Sequence, residues 1–138
     1  MSEDVLLLDT SAWILSFKSS GYSEAKTKIR QAIENDRIVT APPVILEIVQ
    51  GCRTESEKNQ IQFKMRQLGQ LVLTDSVWDV AYDMGFQLKR KGATVPTMDI
   101  ILASCAIHYQ CILVHRDKHY AIISQHFALS HLDMDDLK

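Results

Sequence analysis

Four acidic residues, Asp9, Glu47, Asp99 and Asp117, carry the chemical promise of this sequence. Asp9 closes the apolar run Val5 to Leu8, and Asp117 follows the apolar run Ile112 to Val114. Glu47 and Asp99 sit in the opening turns of apolar helical segments, Val44 to Val49 and Met98 to Ala103. In an alternation of strands and helices, helix starts and strand ends share one rim of the sheet, the usual site rim of such folds. Carboxylates gathered at that rim repel one another and resist joint ionisation unless a cation lies among them. The pattern points to a divalent-metal site, and so to an enzyme. Hard cations such as magnesium take oxygen ligands, and carboxylates from different loops can hold one or two of them.

Each acid also has an ordinary reading. Asp9 suits a helix cap or turn, although Thr10 or Ser11 could cap instead and free it. Glu47 lies in a segment too apolar to be solvated all round, so it either pairs with Arg53 or reaches solvent. Asp99 in a first turn suits the helix dipole. Asp117, in His115-Arg116-Asp117-Lys118-His119, reads as a loop acid with basic neighbours. His115 and His119 could join a carboxylate in acid–base chemistry, but a capping or surface role is the commoner one. The ordered set of four favours the site over the separate readings.

The elements that would position these residues follow from periodicity and turn residues. Val5 to Leu8 reads as a buried strand, followed by a short helix through Trp13 and Leu15. A helix over 23–35 carries Ala25, Ile29, Ala32 and Ile33 on one face. Further strands are expected at Arg37 to Thr40, Leu71 to Leu73, Cys111 to Val114 and, more weakly, Phe127 to Leu129. Pro42 and Pro43 start a helix that ends near Gly51. A polar helix spans Glu55 to Gln70. Ser76 is expected to cap a helix reaching Lys91, and Thr97 one running to about Tyr109. The fold class is α/β: a single three-layer domain over residues 1–138, with a central parallel sheet of four to five strands flanked by helices.

The bulk numbers agree. A chain of 138 residues with 46% apolar composition suits one globular domain. A net charge of -2 does not mark a polyanion binder, so a nucleic-acid substrate needs local cations. Cys52, Cys105 and Cys111 show no zinc-ligand spacing, and their odd number favours a reducing cytoplasm. The acidic start and the short apolar run after it suggest neither a signal peptide nor a membrane span. No phosphate-binding glycine–lysine loop is present.

These segments resemble the PIN-domain family, and most closely its VapC-type toxin ribonucleases. Leu7-Leu8-Asp9-Thr10-Ser11-Ala12 resembles the family's opening strand and first aspartate. Leu46-Glu47-Ile48 with Gly51 is similar to its glutamate helix, and Pro96-Thr97-Met98-Asp99-Ile100-Ile101-Leu102-Ala103 to its third acidic motif. Val114-His115-Arg116-Asp117-Lys118-His119-Tyr120 resembles the closing motif, with His115 where a threonine or serine is common. The resemblance implies an endoribonuclease dependent on Mg2+ (or Mn2+), with Asp9, Glu47 and Asp99 as core ligands and Asp117 direct or through water. It also implies supporting roles for Ser11 and Thr97, RNA contacts from Arg116 and Lys118, a small cognate antitoxin, a homodimer and no membrane association.

Two other classes compete. A phosphoacceptor receiver-like domain would use Asp75 but expects a pair of adjacent acids after the first strand, where Asp9-Thr10 supplies one. A haloacid-dehalogenase-like phosphatase needs an acid at the place of Ser11. A non-catalytic PIN-like interaction module would not need all four acids.

Overall fold

Five short parallel strands form the centre of the molecule in the order β3-β2-β1-β4-β5. They are β1 (Leu6–Leu8), β2 (Ile38–Thr40), β3 (Gly69–Gln70), β4 (Ile112–His115) and β5 (His131–Asp133). The computed structural model describes residues 4–138, so the opening Met1 to Glu3 lies outside the described residues. Helices α1 (Thr10–Ser16) and α2 (Ser23–Glu34) link β1 to β2, and α3 (Pro42–Gln50) and α4 (Glu55–Arg66) link β2 to β3. Helices α5 (Asp75–Arg90) and α6 (Thr97–Tyr109) return the chain to β4. The short α7 (His119–Ser124) precedes β5, and a 3-10 turn at Met134–Leu137 ends the chain.

Strand β1 is the middle strand, and all three of its residues are buried. An unbroken apolar strand of this kind belongs where helices cover both faces. From β1 the chain steps outward through β2 and β3, then comes back to the other side of β1 as β4 and β5. The direction reverses between β1 and β4, and in such sheets the ligand crevice opens beyond the strand ends at that reversal. Leu8 pairs with Val114, so the residues leaving these two strands start side by side. Helix α6 buries five consecutive residues, Leu102 to Ala106, and packs on α5 and β4. An interior helix of this type has no solvated face and reads as apolar all round.

Several expected boundaries move. The third strand is Gly69–Gln70 rather than Leu71 to Leu73. A side chain at Gly69 would put its Cβ 3.1 Å from Val39 Cγ1, so the bare backbone of glycine lets this edge strand close on β2. Leu71 still donates to Thr40 O at 2.8 Å, but Val72 already points to solvent. The fifth strand is His131–Asp133 rather than Phe127 to Leu129, which form a tight turn with Leu129 N on Phe127 O at 2.8 Å. Polar His131 and Asp133 hide this edge strand from hydropathy, and it is defined by its backbone pairing to β4.

Helix starts shift too. Thr74, not Ser76, caps α5 by accepting from Val77 N. Thr97 does not cap α6: Pro96 holds the cap position, no side chain caps the helix, and Thr97 is its exposed first residue. At α1 neither Thr10 nor Ser11 caps; Asp9 does. All three cysteines are free. Among the described residues no helix is long and apolar enough to cross a membrane.

Candidate metal centre

Asp9 is the first residue beyond β1, and its side chain turns back to begin α1. Its Oδ1 accepts from Ala12 N at 2.9 Å and from Ser11 Oγ at 2.6 Å. Asp9 therefore caps the helix and faces the crevice at once, so the expected division of labour with Thr10 and Ser11 is corrected. Those two residues serve other partners. Ser11 Oγ accepts from Arg116 N at 2.9 Å, tying the end of β1 to the loop after β4. Thr10 donates to Glu47 Oε1 at 2.7 Å. Glu47 thus takes its partner from α1, not from Arg53, and α3 docks its acid one residue away from Asp9 in the chain.

Asp99 comes from the first turn of α6 and is 9% exposed. Its Oδ1 accepts from the hydroxyl of Tyr120 at 3.4 Å. Its Oδ2 is buried and has no aligned hydrogen bond. Asp117 stands in the loop after β4, where its Oδ1 accepts from His119 N at 2.9 Å. The imidazole of His119 lies against both acids, with Nδ1 2.7 Å from Asp117 Oδ1 and 3.1 Å from Asp99 Oδ2. Asp99, Asp117 and His119 present ligand atoms that all fall within 4.8 Å of one another.

The charges confirm the crowding. Burial pushes the Asp9 carboxyl up to about 6; Ser11 and Ala12 pull it back, and the charge of Asp117 pushes it further. Asp99 is also raised to about 6, by burial first, then by Asp117, with His119 lowering it and Asp9 raising it. Three carboxyls from three segments thus feel one another across a small pocket. Tyr120 is fully buried beneath them, and burial with the charges of Asp9, Asp99 and Asp117 holds its phenol well above the ordinary range.

His115 answers the departure from the family motif. It is 1% exposed, and its Nδ1 accepts from Asp117 N at 3.0 Å. That bond places its proton on Nε2, which then donates to His131 Nδ1 at 2.8 Å. Burial keeps the ring neutral, with its pKa held down to about 4. The imidazole nitrogen accepts the backbone bond that orients the Asp117 loop.

The remaining expected residues stand apart from this cluster. Arg116 pairs with Asp135 at 3.2 Å and lies over the Tyr22 ring at 5.9 Å. Lys118 and Thr97 are exposed. Asp75 is an exposed residue at the start of α5 and has no part in the cluster. Sequence reasoning missed Thr10 as the partner of Glu47 and Tyr120 as the floor of the pocket. It also set aside His119, whose spacing of two from Asp117 was the available signal.

The PIN domain model matches residues 6–125 of the chain. A ribonuclease, VapC11, of Mycobacterium tuberculosis is 27% identical over 125 residues, covering 88% of this chain and 92% of its own length. Among solved structures, VapBC-1 from nontypeable Haemophilus influenzae superposes with a TM-score of 0.78 at 20% identity, covering 95% of this chain and 98% of that one. VapBC2 from Rickettsia felis, bound to a DNA fragment from their promoter, gives a TM-score of 0.74 at 17% identity, covering 94% of this chain and 98% of that one.

Proposed function

Since this chain belongs to the PIN domain family, we propose that it is an endoribonuclease dependent on Mg2+ or Mn2+ and the toxin of a toxin–antitoxin pair. The observation that carries this reading is the convergence of Asp9, Asp99 and Asp117, with two of the three carboxyls raised to about 6. The donor set fits a hard divalent cation, being mainly carboxylate oxygen, and Asp99 Oδ2 is buried with no aligned hydrogen bond. Asp9, Asp99 and Glu47 would hold the ion, with Asp117 direct or through water. Such an ion offsets charge on phosphoryl oxygens and makes water a better nucleophile.

The protein's own groups do the positioning. Ser11 fixes Asp9 and the Arg116 backbone together. Thr10 fixes Glu47, and His115 fixes the backbone of Asp117. One carboxylate orients the attacking water and takes its proton. Lys118 and Arg116 meet RNA phosphates, Lys118 with the freer charge because Arg116 also serves Asp135. Thr97 makes no cap, and its exposed hydroxyl supports a contact with substrate rather than with the ion.

The relatives named VapC ribonuclease and the VapBC neighbours support an RNA substrate and a cognate antitoxin. We further take residues 1–138 as one functional domain that dimerises and works in the cytoplasm, a setting in keeping with its free cysteines. Purified protein incubated with total RNA and Mg2+ or Mn2+ should cleave it, and chelator or Asp9→Asn should remove most of that cleavage. No cleavage on varied RNAs, together with tight partner binding, would instead mark a non-catalytic interaction module.

A further inference from the structure

We propose that His119 is a nitrogen ligand of the metal centre and that it biases the site toward Mn2+ over Mg2+. The inference rests on the metal-site reading above and deepens it. Two approaches motivate it: His119 Nδ1 is 2.7 Å from Asp117 Oδ1 and 3.1 Å from Asp99 Oδ2. These are hydrogen-bond distances, yet neither His119 Nδ1 nor Asp99 Oδ2 has an aligned hydrogen-bond partner, and both atoms are buried. Atoms that converge without pointing at each other are arranged around a common point. Adjacent ligands of an octahedral ion with bonds of roughly 2.1 Å stand about 3 Å apart, which is the spacing found here. Asp99, whose side chain is 12% exposed, brings its buried and unpartnered Oδ2 to that point.

The chain holds the ring there firmly. His119 N donates to Asp117 Oδ1 at 2.9 Å, so its backbone and side chain address the same carboxylate. Tyr120, the next residue, is fully buried and places its hydroxyl on Asp99 Oδ1. His119 is thus held between a fixed partner on either side.

The chemical consequence is selective. A neutral imidazole adds a ligand without adding another negative charge to a pocket already crowded with carboxylates. Magnesium strongly prefers oxygen and near-ideal octahedral geometry. Manganese shares magnesium's liking for carboxylate and stands lowest in the first-row affinity order, but as a transition ion it tolerates an imidazole nitrogen among its oxygens better than magnesium does. A site of carboxylates and one imidazole should therefore favour manganese more than a carboxylate site alone.

Pulsed EPR of bound Mn2+ tests this directly. The parent protein should show nitrogen modulation from a coordinated ring, and growth with 15N-histidine should change its pattern, which requires no variant. His119→Ala should abolish the modulation, lower Mn2+ affinity by about tenfold and change Mg2+ affinity by less than about threefold. Mn2+ bound by oxygen alone in the parent would overturn the role of His119 and leave the carboxylate site standing. Nitrogen modulation that persists in His119→Ala would also overturn it, since another ring would then be the ligand. A parent that binds neither ion by calorimetry would overturn both this inference and the metal-site reading.

Discussion

At the residue scale, Asp9 shows how one side chain serves structure and chemistry together. It caps α1 through Oδ1 while burial raises its carboxyl to about 6 from 3.8. Between those values the native state holds more protons than the unfolded chain, so this group's contribution to stability falls as pH rises through the window and is flat above it. Asp99 behaves alike. His115 runs the other way: its native pKa of about 4 lies below 6.5, so its contribution is present above pH 6.5 and is lost as pH falls toward 4. The parent's own pH curve is thus a partial cancellation, and comparison with Asp9→Asn isolates the acid. Asparagine keeps the cap and removes the charge. Urea unfolding of metal-free protein should find Asp9→Asn more stable by about 3 kcal/mol above pH 6.5, with the gap closing toward pH 4. Glu47 and Asp99 stood out in the sequence because charged residues in apolar segments need a reason, and Asp9 and Asp117 because each follows an apolar strand. Thr10 and Tyr120 did not, because their roles arise from contacts across the fold, which spacing along the chain does not reveal; His119 was visible beside Asp117, but its approach to Asp99 was not.

At the element scale, the site depends on how strand ends and helix starts are tied together. Ser11 joins two strand ends through one hydroxyl, donating to Asp9 and accepting from Arg116 N. Ser11→Ala should cost about 1–3 kcal/mol, measured by urea unfolding, because it leaves polar groups unpaired. Thr10 joins α1 to α3 through Glu47. Thr10→Val should leave stability within about 1 kcal/mol, since the partner is not fully buried, yet reduce cleavage roughly tenfold by freeing a ligand. The central strands were readable because β1 and β4 are apolar runs enclosed on both faces. The edge strands were not. Gly69–Gln70 is set by a close backbone approach, and His131–Asp133 by pairing with β4 despite its polar residues. Helix caps failed for a related reason: Thr74, Ser76 and Thr97 are chemically similar candidates, and the local backbone chooses among them.

At the scale of the whole molecule, the exterior carries an apolar groove that none of the four acids lines. Trp13, Phe17, Ile33, Ile61, Met65 and Leu68 line an apolar groove, with Phe17 59% exposed and Phe63 68% exposed nearby. Apolar area of this kind is a usual mark of protein contact. By contrast Tyr22 is occupied by Asp135 and Arg116. Phe17→Lys should therefore weaken association with the proposed antitoxin by at least about tenfold, read by calorimetry, while leaving RNA cleavage by the free protein unchanged. The net charge of -2 also matters at this scale. With few cations at the rim, RNA affinity should depend only shallowly on salt.

The account stands on carboxylates that one pocket tolerates best around a divalent ion. Thermal unfolding of the parent and Asp99→Asn at pH 7.5, each with chelator and with saturating Mn2+, tests it most directly. Asp99→Asn should melt higher than the parent in chelator, because one repelling charge is gone, and lower than the parent in Mn2+, because one ligand is gone. The same order of melting temperatures in both conditions would contradict the account.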